Sequence, residues 1–154
     1  MIRKNHTLSW KYWLIGLLFL LALFSFSSCR LSDANQVDVY QINEILDDIE
    51  NGVLLYNPEQ IVQYVHPEFL HNGNYARDIE MIWQIRTVNY SRLKLEQREI
   101  KISYIYATVK MKMTLKSGDR EIVSDEPSDE YGDLSYFIRE NGKWYLYGNQ
   151  RYIP

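Results

Sequence analysis

Few side chains in this chain could carry covalent or acid–base chemistry. There is one cysteine, Cys29, and there are three histidines, His6, His66 and His71, in 154 residues. A single thiol has no partner for a disulfide. The two histidines after it have no carboxylate at ligand spacing, so no metal set is expected and no cofactor is implied. His71 and Asp78 lie seven residues apart across a loop and a helix start, a spacing that could join a general base to a partner carboxylate. His66 precedes Pro67, where a helix must end. The remaining reactive groups are phenols: of 13 tyrosines, all but Tyr12 follow Cys29. Tyrosines at this density also satisfy strand propensity and half-burial, which is their plainer reading.

The surroundings of Cys29 give the thiol its most specific chemistry. Arg3, Lys4 and Lys11 form a positive leader, and Tyr12 to Phe26 form an apolar run with one strongly polar member, Ser25. The run is short for a membrane span, which takes about 20 apolar residues. Phe26-Ser27-Ser28-Cys29 closes it. This segment resembles a bacterial lipoprotein signal peptide, with Ser27 and Ser28 in the small positions and Phe26 where an aliphatic residue is usual. The resemblance implies a diacylglyceryl thioether on Cys29, cleavage before it, and acylation of the new amine. Each buried CH₂ contributes about 0.8 kcal/mol, so several chains hold where one would not. The plainer alternatives are a short uncleaved anchor or a non-lipid signal with an incidental cysteine. On the lipoprotein reading, residues 1–28 are the signal, 29–36 a lipidated tether and 37–154 the domain. The protein would sit in the bacterial cell envelope, lipid-anchored outside the cytoplasm. Arg30 is not aspartate, and by enterobacterial analogy that favours an outer membrane where one exists.

Removing three basic residues with the leader leaves 14 lysines and arginines against 20 acids, a charge near −6. That balance argues against nucleic acid as a partner, because phosphate neutralisation requires a basic surface. Residues 30–154, 125 in all, suit a single core.

The elements that must position these residues follow from periodicity. Val39, Ile42, Ile45, Leu46, Ile49 and Val53 recur at helical spacing, with Asp38, Glu44, Asp47, Asp48 and Glu50 elsewhere, so one face is core and the other acidic. Asn57-Pro58-Glu59 starts a second helix that runs to about Val65. A third is expected from Tyr75 to about Val88, with Ile79, Ile82, Trp83 and Arg86 on one face. Leu93 and Leu95 then alternate in one phase and Ile100 and Ile102 in the other, which implies a bulge between them. Ile105 through Leu115 alternates with Tyr104, Tyr106, Thr108, Lys110 and Lys112 on the opposite face. Ser117-Gly118-Asp119 turns the chain, Arg120 to Val123 begins a return strand, and Asp125 to Glu130 reads as a loop or frayed edge. Leu134-Tyr136-Ile138 and Trp144-Leu146 form two strands across the Asn141-Gly142 type I′ turn.

Three helices followed by an antiparallel meander describe an α+β fold. That order, His66-Pro67-Glu68-Phe69 after the second helix and the hairpin from Glu140 to Leu146 together resemble the nuclear transport factor 2-like superfamily, which includes SnoaL-like proteins. The resemblance spans about residues 37–152. It implies a curved antiparallel sheet closing three packed helices into a cone whose open end holds a ligand or active site. It specifies no shared catalytic set. Ligand-pocket candidates are Tyr75, Trp83, Tyr104, Tyr106 and Tyr136, joined by Tyr147, with His66, His71 and Asp78 as the candidates for acid–base work. Such a pocket would be aromatic with a few hydroxyls, suited to a flat or partly apolar molecule.

Two functional classes follow, and a third is structural. The favoured one is a non-catalytic, membrane-anchored lipoprotein that binds a small ligand or a protein partner. The second is a SnoaL-like dehydratase, isomerase or hydrolase with His71 or Asp78 as base. The third is a homodimer formed through the open sheet face.

Overall fold

A computed structural model describes residues 35–128 and 131–152. The leader, Cys29 and most of the tether lie outside these residues. The described residues from Asp38 onward form one compact unit. Among the described residues no helix is long and apolar enough to cross a membrane, and no group of His, Cys, Asp and Glu could hold a metal ion.

The first helix, α1, covers residues 35–54 and buries Ile42, Ile45, Leu46, Ile49 and Val53. One correction concerns Asp38, which was expected on the acidic face and is 7% exposed. It lies one turn before Ile42 on the same stripe. Burial there is tolerated because its carboxylate accepts from the Trp144 indole N–H at 3.0 Å and from Arg139 Nη1 at 2.8 and 3.0 Å. The second helix, α2, is Glu59–Val62, shorter than its pattern implied. Beyond it the backbone leaves to meet a sheet edge, where Leu146 N–H donates to the Tyr64 carbonyl and His66 N–H to the Leu146 carbonyl.

A two-residue hairpin follows, β1 (Leu70–His71) and β2 (Asn74–Tyr75), turning on Asn72 and Gly73 at positive φ. Helix α3 is Ala76–Asn89, and its buried residues are Ile79, Trp83 and Thr87.

Strands β3 (Arg92–Ser103) and β4 (Tyr106–Ser117) pair along their length. The register slips between Glu96 and Glu99, with Gln97 at positive φ, so the change of hydrophobic phase is a bulge. Arg98 pins the bulge to α1 by reaching Asp47 and Glu50, both at 2.7 Å. Glu50 also accepts Leu95 N–H on the edge strand at 2.8 Å, so part of the acidic face of α1 serves the sheet.

β4 begins later than its alternation implied. Tyr104 and Ile105 form a two-residue turn, with Ser103 opposite Tyr106 and Tyr104 at φ 63. Ile105 is consequently 39% exposed and outside the core. Strand β5 (Arg120–Glu126) extends through Asp125 into the stretch expected as a loop. Glu126 is buried because Ser128 N–H and Oγ–H both donate to it at 2.8 Å.

The closing hairpin is β6 (Tyr136–Glu140) and β7 (Lys143–Leu146), with Asn141 and Gly142 at φ 51 and 79 as a type I′ turn requires. Here Phe137, and not Tyr136 or Ile138, faces the core. Leu134 belongs to a 3₁₀ turn, Gly132–Leu134, so the sequence phase that linked it to Tyr136 does not carry through. The sheet runs β3-β4-β6-β7, and β5 also pairs with β4. β6 takes Tyr106 to Thr108 while β5 takes Met111 to Ser117, and Val109 N–H donates to the Ser135 carbonyl between them. The inward face is filled by Val109, Met111, Met113, Leu115, Phe137 and Leu146, packed with Trp83 and the α1 stripe.

Candidate functional site

The pleat of β4, β6 and β7 sends alternate side chains to the face opposite the core. Tyr106 stands opposite Ile138, which stands opposite Tyr145; Thr108 stands opposite Tyr136, and Tyr147 N–H donates to the Tyr136 carbonyl at 2.8 Å. Three candidate tyrosines, Tyr106, Tyr136 and Tyr147, thus line one groove of about 290 Å³ with Thr108, Asn149 and Gln150. Among the described residues no Asp, Glu, Lys or Arg lines it. The Tyr106 and Tyr147 rings are 6.1 Å apart and tilted by 34°. Burial, then the charge of Glu68, raises the Tyr147 pKa, so its hydroxyl is a neutral donor at physiological pH.

Both histidines border this groove. His66 meets Tyr147 and Tyr145 edge-on at 5.4 and 5.8 Å. Its Nδ1 accepts Glu68 N–H at 3.1 Å, which leaves the proton of the neutral ring on Nε2, 3.3 Å from Glu140 Oε2. The His71 ring is 6.0 Å from that of Tyr136 and 4% exposed. Its Nδ1 accepts Asn149 N–H at 3.3 Å and its Nε2 is 3.2 Å from the Asn72 amide. Asn149 and Asn72 bond each other reciprocally, at 2.7 and 3.2 Å, tying the groove's rim to the β1–β2 turn.

The other candidates lie elsewhere. Asp78 accepts Tyr75 N–H at 2.9 Å and caps α3, with no hydrogen bond to His71 among the described residues. Tyr75 is 53% exposed at that helix start, and Tyr104 is 92% exposed at its turn. Trp83 is fully buried in the interior, where its indole N–H donates to Asp133 at 2.8 Å. Arg86 Nη1 donates to both oxygens of the same carboxylate at 2.9 and 3.0 Å, and its guanidinium lies 4.8 Å over the Trp83 ring and 5.1 Å over that of Tyr131. Asp133, Asp38 and Arg139 escaped the sequence reading because each partner is distant: Asp133 lies 50 residues from Trp83, and Asp38 lies 106 from Trp144. The rim residues Gly148 to Gln150 escaped it too. They follow the last periodic strand and carry no motif.

A wider groove of about 720 Å³ runs along α1, bordered by Glu44, Asp47, Asp48, Tyr64 and Tyr145. Tyr64 donates to Asp48, and burial followed by this bond pushes its pKa up to about 12. A raised phenol pKa favours the neutral form, so the stabilisation is complete below the unfolded value near 10 and disappears as pH climbs from 10 to 12. An ultraviolet absorbance titration should accordingly show a tyrosine ionising near pH 12. Asp48→Ala should bring that step back toward 10; an unchanged curve would contradict the assignment.

No family model matches the sequence, and no curated protein matches it significantly. Solved structures do match in fold. A candidate scytalone dehydratase from Novosphingobium aromaticivorans superposes with a TM-score of 0.60 at 11% identity, covering 76% of this chain and 84% of that one. A nuclear transport factor 2-like protein of unknown function from Shewanella oneidensis gives 0.59 at 13% identity over 72% and 95%. A candidate dehydratase of the same family from Streptomyces avermitilis gives 0.52 at 12% over 73% and 93%. Three helices on a curved antiparallel sheet, matched at this level, are the nuclear transport factor 2-like fold.

Proposed function

We propose that this chain is an exported lipoprotein, anchored through Cys29, whose nuclear transport factor 2-like domain is a non-catalytic binding module for a small uncharged ligand. The observation that carries the binding reading is the groove itself: three tyrosines, one threonine and two amides converge, with no carboxylate, ammonium or guanidinium among the described lining residues. The buried carboxylates Asp133 and Asp38 are engaged, the first by Arg86 and the second by the partly exposed Arg139, and each by an indole N–H. The anchor rests on the leader and the position of the single cysteine. Cys29→Ser should move the protein from the membrane to the soluble fraction or leave the precursor uncleaved, with loss of incorporated radiolabelled palmitate. A cleaved Cys29→Ser product still held in the membrane would refute the lipid anchor.

Binding is tested by thermal shift of the full chain against a panel of neutral and charged small molecules. Compounds that raise Tm in the parent and fail to do so in Tyr106→Ala, Tyr147→Ala identify the groove. A panel whose hits are charged and independent of both tyrosines would remove the reading.

A second reading is a SnoaL-like dehydratase. It is favoured by His71, buried beside Tyr136, and by the candidate dehydratases among the structural neighbours. It requires that β-hydroxy carbonyl substrates be turned over and that His71→Gln abolish this turnover.

A further inference from the structure

We infer that the Tyr106–Tyr136–Tyr147 groove is a carbohydrate-binding site that takes a neutral glycan. The inference rests on the binding reading above and specifies its ligand. The shape of the site excludes insertion. A ring held between two aromatic faces needs about 3.5–4 Å of contact on each side, hence a gap of at least about 7 Å, whereas the Tyr106 and Tyr147 rings are 6.1 Å apart and converge at 34°. A ligand must therefore lie across the aromatic surface, as a flat face on a platform.

The lining chooses the ligand's chemistry. Phenol and threonine hydroxyls and two amides share the groove with the ring faces, and among the described residues no Asp, Glu, Lys or Arg lines it. A flat hydrocarbon would cover the rings at the cost of desolvating those hydroxyls, a penalty for every polar group left unbonded. A pyranose presents C–H groups on its face and hydroxyls around its edge, matching the rings in the centre and the phenol and threonine hydroxyls beside them. Charge complementarity weighs against an anion, since among the described residues no lysine or arginine lines the groove and the charge of Glu68 already acts on Tyr147. At about 290 Å³ the groove falls at the lower end of ligand sites and suits one or two sugar rings. Apolar surface also continues beyond it, with Ile138 and Tyr145 across the strands from Tyr106 and with the 92% exposed Tyr104 at the adjoining turn. That continuation gives a longer chain further surface to cross.

The rim is held in place before any ligand arrives. Gln150 Nε2 donates to the Tyr147 carbonyl at 2.6 Å, Gln150 N–H donates to the Leu70 carbonyl at 2.9 Å, and the Asn149–Asn72 pair closes the other side. The platform therefore pays little ordering entropy on binding.

Isothermal titration calorimetry with maltohexaose, cellohexaose and chitohexaose would test this on the full chain, kept in a detergent without a sugar headgroup. The flat aromatic probe 1-naphthol and polyglutamate serve as the competing classes. At least one hexasaccharide is expected to bind, with affinity reduced about fivefold or more by Tyr106→Ala and again by Tyr147→Ala. Tyr106→Phe, which keeps the ring, should retain most of it. Circular dichroism and Tm of each variant separate a lost site from a lost fold, and Tyr106, already half exposed, tolerates the change. Tyrosine-dependent binding of 1-naphthol with no glycan binding would overturn the glycan class and leave the binding module standing. Glycan binding indifferent to both tyrosines would overturn the site. If no probe binds, the glycan assignment falls, and if Tyr106→Ala also converts a dimer to a monomer in light scattering, the groove is a self-association surface and the binding reading falls with it.

Discussion

Asp133→Ala should lower the free energy of unfolding by about 3–5 kcal/mol, the usual cost of removing one partner from a buried ion pair. The carboxylate is 3% exposed and accepts three hydrogen bonds, one from Trp83 and two from Arg86. Its loss strands a guanidinium whose side chain is only 13% exposed and leaves a buried indole N–H without its acceptor. Asp133→Asn keeps an oxygen for the indole and loses the charge, so it should cost less. Replacing both charged partners, Asp133→Leu with Arg86→Met, should recover much of the loss, because the isolated charge dominates the penalty and not the missing attraction. Urea denaturation followed by tryptophan fluorescence measures all three. A double variant as unstable as Asp133→Ala would mean that the cost lies in packing around Trp83 instead.

Gly148→Ala should cost about 2–5 kcal/mol, combining left-handed backbone strain of about 1–2 with overpacking of about 1–3. Gly148 has φ 73, and a Cβ there would collide with the Leu70 carbonyl oxygen and lie 2.9 Å from His71 Cβ. Backbone cannot yield as the end of a flexible side chain can. The segment carrying Leu70 and His71 must therefore shift, taking His71 away from Tyr136 and opening the groove's rim. Gly118→Ala provides the control, since Gly118 also has positive φ but a Cβ there meets nothing within 4 Å. The difference in Tm between the two variants isolates the steric part; equal losses would show that only the backbone angle matters.

These two sites show where sequence reasoning reached and where it stopped. Periodicity located α1, α3, the bulge in β3 and the Asn141-Gly142 hairpin, because each is dictated by residues within about a turn or a strand of one another. The same reading carried β4 two residues too far back through Tyr104 and Ile105. A two-residue turn of bulky residues imitates strand alternation, and only pairing with β3 reveals the reversal. The phase of β6 was misread for a related reason: the 3₁₀ turn Gly132–Leu134 resets the count, so Phe137 faces inward and Tyr136 outward.

The candidate site divides in the same way. Of the six aromatic candidates Tyr106, Tyr136 and Tyr147 share a groove, while Tyr75, Trp83 and Tyr104 lie elsewhere. The groove's face was not legible, because a strand's alternation distinguishes two sides without saying which side the helices will cover. The sequence by itself determined the helix stripe, the closing hairpin, the acidic balance and the singular position of Cys29, all properties of short spacing or of composition. Only the tertiary structure decided that Asp38 and Asp133 would be buried, each beside a tryptophan and an arginine, and that three tyrosines would meet on the outer sheet face. Those arrangements depend on partners up to 106 residues apart, and burial of a charge is tolerable only once its hydrogen-bond donors have been brought to it.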